Sequence, residues 1–432
     1  MPELSAGDTA WILTSAALVL LMTPGLAFFY GGMVRAKAVL NMLMMSFLCL
    51  AIVPVVWVLY GYSLAFDGTN GGIIGGLGKL GLSDIGLDTL SGTIPEFAFV
   101  AFQAVFAIIT VALISGAIAE RTTFSGWAIF VVLWVTIVYF PVANWVWGGG
   151  WIGADLGAID FAGGTVVHIN AGAAALALAL VIGKRVGWRR DPMKPHNLPF
   201  VLLGAGLLWF GWFGFNAGSA LAADGVASAV WVNTMVATAA AILGWLLIDV
   251  IKQQHSTTLG AASGAIAGLV AITPACAFVS PIGAIIIGLV AGAVCALAVS
   301  LKYKYGYDDS LDVVAVHLVG GVIGTLMIGL LATETFTGDP ELEGLFYGGG
   351  VDLLWRQAVA AGAVIVFSFV VAYILGTLIQ RTIGFRVSED AEVGGIDLAS
   401  HVEAGYEITP AAGPSGSHAA VPAASKERSV QG

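Results

Sequence analysis

The feature that most constrains this chain is the recurrence of long, nearly uncharged apolar runs of about 20 residues or more. Eleven can be marked, at about 10–32, 39–64, 97–119, 124–146, 163–183, 198–222, 227–251, 258–277, 281–301, 312–333 and 350–380. Each is long enough to cross a hydrocarbon core of roughly 30 Å as a helix. Only 10 % of the 432 residues are charged, against roughly 25 % in soluble domains, which excludes a soluble globular protein. The expectation is an all-α integral membrane protein with eleven transmembrane helices.

Basic residues set the orientation, because cytoplasmic loops carry the excess of Lys and Arg. The first ten residues, MPELSAGDTA, carry none. With that end outside, fifteen of the seventeen Lys and Arg residues fall inside, and only Lys79 and Arg356 fall outside. A miscounted span would scramble this split, so an outside N-terminus, a cytoplasmic C-terminus and an odd number of spans support one another. A cleavable leader is not expected, since its basic n-region is missing.

Residues 1–381 read as the membrane domain, with halves at about 10–183 and 198–333 and helix eleven at about 350–380. The stretch 382–407 reads as a cytoplasmic segment, and 408–432, rich in Pro, Ala, Ser and Gly, as a disordered tail. Within the two halves, helix five reads VVHINAG around His168 and helix ten AVHLVGG around His317, each with a small residue at the third following position and Gly at the fourth. Five spans separate the copies, so the second runs through the membrane in the opposite sense. That is the mark of an inverted 5+5 repeat with a site between the halves.

Several chemistries find no support. Cys49, Cys276 and Cys295 lie inside apolar runs at no metal-ligand spacing, so no metal site is expected. The Gly-rich stretches GGIIGGLG and WGGGWIG lack the Lys-Ser/Thr of a phosphate loop. A net charge of −10 argues against a nucleic-acid partner.

An ionisable side chain at membrane depth is costly and marks a functional site by default, which singles out His168 and His317. A rise of 1.5 Å per residue puts each about 8 Å inside its end of a helix, so straight helices leave the rings several ångströms apart along the membrane normal. A second cluster is aromatic. Phe215 and Ser219 lie one turn apart on helix six, Phe102 and Phe106 share a face of helix three, and Trp147 follows helix four. Aromatic faces with a hydroxyl acceptor suit a small cation. Asp160 adds negative charge nearby, although an Asp ahead of a helix is first of all a cap.

These residues resemble the ammonium transporters of the Amt/Mep/Rh family, in its bacterial Amt branch. The motifs are PGLAFFYGG (24–32), GAIAERTTF (116–124), VWGGG (146–150), DFAGGTVVHINAG (160–172), KPHNLP (194–199), GWFGFNAGSA (211–220), GAIAGLVAITPAC (264–276) and DDSLDVVAVH (308–317). The resemblance implies an eleven-helix subunit of the cell membrane, assembled as a homotrimer with one pore per subunit, which passes ammonium or ammonia and takes methylammonium as an analogue. It implies no enzyme activity and no cofactor. By motif, Trp147, Phe106 and Ser219 are similar to the outer recruitment site, Phe106 and Phe215 to a stacked gate, and His168 and His317 to hydrogen-bonded pore histidines. Asp160 is similar to the structurally important aspartate near that site, and Thr273 to a polar contributor in the same region.

Two departures from the family pattern stand out. In the segment similar to the cytoplasmic regulatory region, which suggests a PII-type signalling partner, Val402 stands where Gly usually follows the His. Near helix two, Lys37-Ala38 replaces the usual Lys-Asn. The alternative to transport is an ammonium sensor with transport secondary, and the short tail, without a fused signalling domain, weighs against it. A haem held by His168 and His317 would leave the Phe gate without a purpose.

Overall fold

The computed structural model describes residues 3–406, so the tail expected to be disordered lies outside the described residues. Among the described residues ten helices are long and apolar enough to cross a membrane: α1 Ala6–Met33, α2 Ala36–Phe66, α3 Glu96–Ile118, α4 Phe124–Val146, α5 Gly164–Ile182, α6 Leu198–Gly218, α7 Gly225–Gln253, α9 Pro281–Tyr305, α10 Val314–Leu331 and α11 Asp352–Thr382. The eighth apolar run, expected over about 258–277, is a shorter helix, α8 Thr258–Ile272, of 15 residues. It stops early because Pro274 removes the next amide the helix would use.

Local chemistry sets four of these starts. Asn197, Asp224, Thr257 and Ser280 each accept a hydrogen bond from the amide three residues on, opening α6, α7, α8 and α9. Glycine then lets the helices approach. On α6, Gly204, Gly211 and Gly214 abut Phe29, Met22 and Leu18 of α1, and on α9, Gly288 and Gly292 lie against the Ala237 and Ala241 carbonyls of α7.

The basic loops share one face, called the basic face below. There a buried ion network joins four connections. Arg35 pairs with Glu120 at 2.7 Å, and Arg185 with Glu120 at 3.3 Å and with Asp308 at 2.9 Å. Arg121, fully buried, donates to the carbonyls of Ala117, Ala119, Gly183 and Asp308 and to the Ser310 hydroxyl. Two short helices, Glu389–Gly394 and Ile396–His401, dock on this face. Asp397 accepts from the Leu40 and Asn41 amides near the start of α2, His401 meets Asn41 Oδ1 at 3.1 Å, and Glu392 accepts from the Val186 amide.

Candidate functional site

The site lies where α5 and α10 cross. Both helices open on a wide π-helical turn, Gly164–Ile169 and Val314–Val319, and each turn carries one of the histidines. The crossing is reciprocal. Gly172, four residues after His168, packs on the Leu318 backbone, and Gly321, four residues after His317, packs on His168 and Ile169. The helices therefore meet at their N-terminal turns rather than side by side.

That corrects the separation expected from straight-helix arithmetic. The rings are 5.4 Å apart centre to centre, with Nδ1 facing Nδ1 at 3.3 Å. Two imidazole nitrogens at that distance share one hydrogen, so in a neutral pair one ring is the Nδ1–H tautomer and its partner carries its hydrogen on Nε2. His168 Nε2 is buried without a partner among the described residues.

Aromatic rings continue this stack away from the basic face. His168 lies against Trp212 at 5.5 Å and Phe215 at 6.1 Å, and Phe215 stacks on Phe106 at 4.2 Å. Beyond Phe106 an open cavity of about 340 Å³ is lined by Phe102, Phe106, Trp147, Phe161 and Ser219. Behind Phe215 a second cavity, lined by both histidines, Trp212, Leu26 and Phe29, has only about 10 Å³ free for water, roughly the minimum one molecule needs. The Phe106–Phe215 stack separates the two. Among the described residues no Asp, Glu, Lys or Arg lines either cavity.

Hydrogen bonding orients the open cavity beyond Phe106. Ser219 Oγ donates to the Phe215 carbonyl at 2.8 Å, which leaves its lone pairs free. Trp147 Nε1 donates to the Asp160 carbonyl at 2.9 Å, which fixes the indole and leaves its π face. The Asp160 carboxylate is a cap, as its position ahead of a helix suggested. It accepts from the amides of Gly163 at 2.8 Å, Gly164 at 2.7 Å and Thr165 at 2.7 Å and from the Thr165 hydroxyl. Gly163, at φ 123°, supplies the left-handed turn that aims these amides inward.

Thr273 is not in this cavity. It is fully buried, accepts from Trp212 Nε1 at 2.8 Å and meets Asn216 Oδ1 at 3.2 Å, so it holds the Trp212 ring against His168. Trp212 itself escaped the sequence reading, although its place three residues before Phe215 puts both on one helix face.

The chain is similar to known proteins over nearly its whole length. The Ammonium Transporter Family profile matches residues 10–406. An ammonium transporter of Mycobacterium bovis is 56 % identical over 94 % of this chain and 91 % of its own. Among solved structures, a Sensor Amt Protein superposes with a TM-score of 0.84 at 30 % identity, covering 91 % of this chain and 98 % of its own. The crystal structure of Candida albicans Mep2 superposes with a TM-score of 0.81 at 36 % identity, covering 90 % and 88 %.

Proposed function

The chain belongs to the ammonium transporter family and is a multi-pass protein of the bacterial plasma membrane, and from that premise we propose that it recruits ammonium at the outer aromatic cavity and conducts it as ammonia past His168 and His317. In this reading α8 crosses the membrane too and brings the number of spans to eleven, the basic face is cytoplasmic, and the N-terminus lies outside. The halves 10–183 and 198–333 form an inverted repeat, as the reciprocal Gly172 and Gly321 contacts suggest. The unit is a homotrimer, and 382–407 is the regulatory segment facing a PII-type partner.

The observation that carries the reading is the continuous stack from Phe106 through Phe215 to the histidine pair, with Nδ1 facing Nδ1 at 3.3 Å. Ammonium entering the outer cavity finds the Trp147 and Phe106 faces and the Ser219 lone pairs, which together replace part of its hydration. Past the Phe stack the space is too small for a water shell. Desolvation disfavours the charged amine and drives it towards ammonia and a proton. Potassium, similar in size and charge, has no proton to lose and meets the full cost.

Neutral imidazoles suit what remains. With the Nδ1 atoms engaged with each other, the Nε2 atoms are left to hydrogen-bond ammonia, one accepting and one donating. Two rings in direct contact also leave no space between them for a porphyrin, which removes the haem reading. The sensor reading draws on the likeness to the Sensor Amt Protein, but the relative at 56 % identity is named a transporter.

The test is flux in liposomes containing the pure protein. Ammonium-dependent uptake or current is expected, with methylammonium as a slower analogue and potassium excluded. Equal passage of potassium, or no ammonium response, would refute the reading.

A further inference from the structure

Asp309 stands eight residues before His317, as Asp160 stands eight before His168. Each carboxylate accepts from the amide five residues on, Val314 at 2.7 Å in one case and Thr165 at 2.7 Å in the other. There the likeness ends. Both Asp160 oxygens are satisfied, whereas Asp309 Oδ1 is buried with no partner among the described residues, in a residue 1 % exposed. A bare carboxylate oxygen away from water is costly, and protonation removes most of that cost.

Charged groups lie close to this residue on the side of the basic face. Lys302 Nζ bonds the Asp309 carbonyl at 3.1 Å and Asp312 Oδ1 at 2.6 Å. Lys302 and Asp312 line a cavity of about 390 Å³ at the basic face. Burial and the Asp312 charge push Asp309 up to about 6, with Lys302 opposing. Tyr307 and, from α1, Tyr30 are the other titratable groups that feel its charge.

We propose that Asp309 is a proton-binding site on the basic-face side of the histidine pair, loading from the pair and unloading to the water of the cavity lined by Asp312 and Lys302. The proposal rests on the reading that ammonium loses its proton in the pore. One proton moves in each step. A proton given up by a histidinium reaches the Asp309 carboxylate by way of water between them, leaving neutral imidazole and a carboxylic acid, and the acid then releases that proton to the water of the basic-face cavity and becomes carboxylate again.

Infrared titration of the reconstituted protein, with and without Asp309→Asn, tests the site. A protonated-carboxyl band that titrates near pH 6 in the wild type and is missing in the variant is expected, while a band unchanged by the substitution overturns the proposal. The Asn amide oxygen can still cap Val314, so the ammonium-evoked current is also informative. It should fall several-fold and lose its dependence on basic-face pH between about 5 and 7, and a wild-type profile overturns the proposal.

Should Asp309→Asn fail to insert, Asp312→Asn keeps the carboxyl, and its band should move to lower pH as the neighbouring charge is lost. An unmoved band counts against the site. The outcomes separate cleanly. Absent ammonium flux in the wild type sinks the transport reading and leaves the titration standing, whereas normal flux without a titrating carboxyl sinks Asp309 alone.

Discussion

Gly172 lies against the backbone of Leu318 so closely that a Cβ added there would sit 2.4 Å from the Leu318 amide nitrogen. Because Leu318 follows His317 directly, this contact sets how far apart the two imidazoles can be. Gly172→Val should separate α5 from α10, cost about 1–3 kcal/mol of stability from overpacking, and abolish selective flux in protein that still inserts. Wild-type flux in that variant would show that the spacing of the pair is irrelevant.

The histidines themselves give a second expectation. His168→Ala removes both the Nδ1 partner of His317 and the free Nε2, so ammonium selectivity over potassium should be lost or transport should stop. Current and uptake measured together on the same liposomes decide it. Selective flux unchanged from the wild type would remove the pair from the mechanism.

At the outer cavity, Trp147→Leu should raise the half-saturating ammonium concentration with little change in maximal rate. A cation–π contact of about 0.5–2 kcal/mol corresponds to roughly 2- to 30-fold. Thr273→Val should do the reverse, lowering the maximal rate through a loosened Trp212 and leaving half-saturation in place. If Thr273→Val moved half-saturation instead, the threonine would belong with the recruiting residues that its motif suggested.

Acid should loosen the basic face. Burial pushes the Glu120 carboxyl up, but Arg185 and Arg35 outweigh it and hold it below the usual range, and at Asp308 Arg185 and Arg121 do the same. For carboxyls lowered in this way, the stabilisation is full above their unfolded values of about 4 and is lost as pH falls through the lower folded values. Arg185→Gln leaves two buried carboxylates short of a partner, a loss of about 3–5 kcal/mol. Thermal unfolding in detergent, with and without the substitution, should show the difference at neutral pH and its shrinkage in acid.

Val402 ends the helix Ile396–His401 in the left-handed region, at φ 58°. A β-branched residue is strained there and glycine is not, which explains physically why this departure from the family motif matters. Val402→Gly should hold the 382–406 segment more firmly on the basic face and slow its cleavage by protease. Faster cleavage would mean that the left-handed cap does not limit docking.

Much of the molecule was legible in the chain alone. Apolar runs longer than a bilayer core, broken by capping residues and prolines, marked the helices to within a few residues, because membrane depth leaves the backbone few other options. The aromatic cluster, the two histidines and the glycine four residues after each were visible too, since helical spacing places such residues on known faces. What the sequence left open depended on how the helices cross. Helix rise set His168 and His317 apart, and only the meeting of α5 and α10 at their first turns, through Gly172 and Gly321, brings Nδ1 to Nδ1. Likewise Asp160 and Asp309 share a spacing, and only tertiary contacts give one a full set of donors and leave the other with a bare oxygen. Periodicity follows from covalent geometry and solvent, while the partners of a buried polar atom follow from which segments the packed chain brings to it.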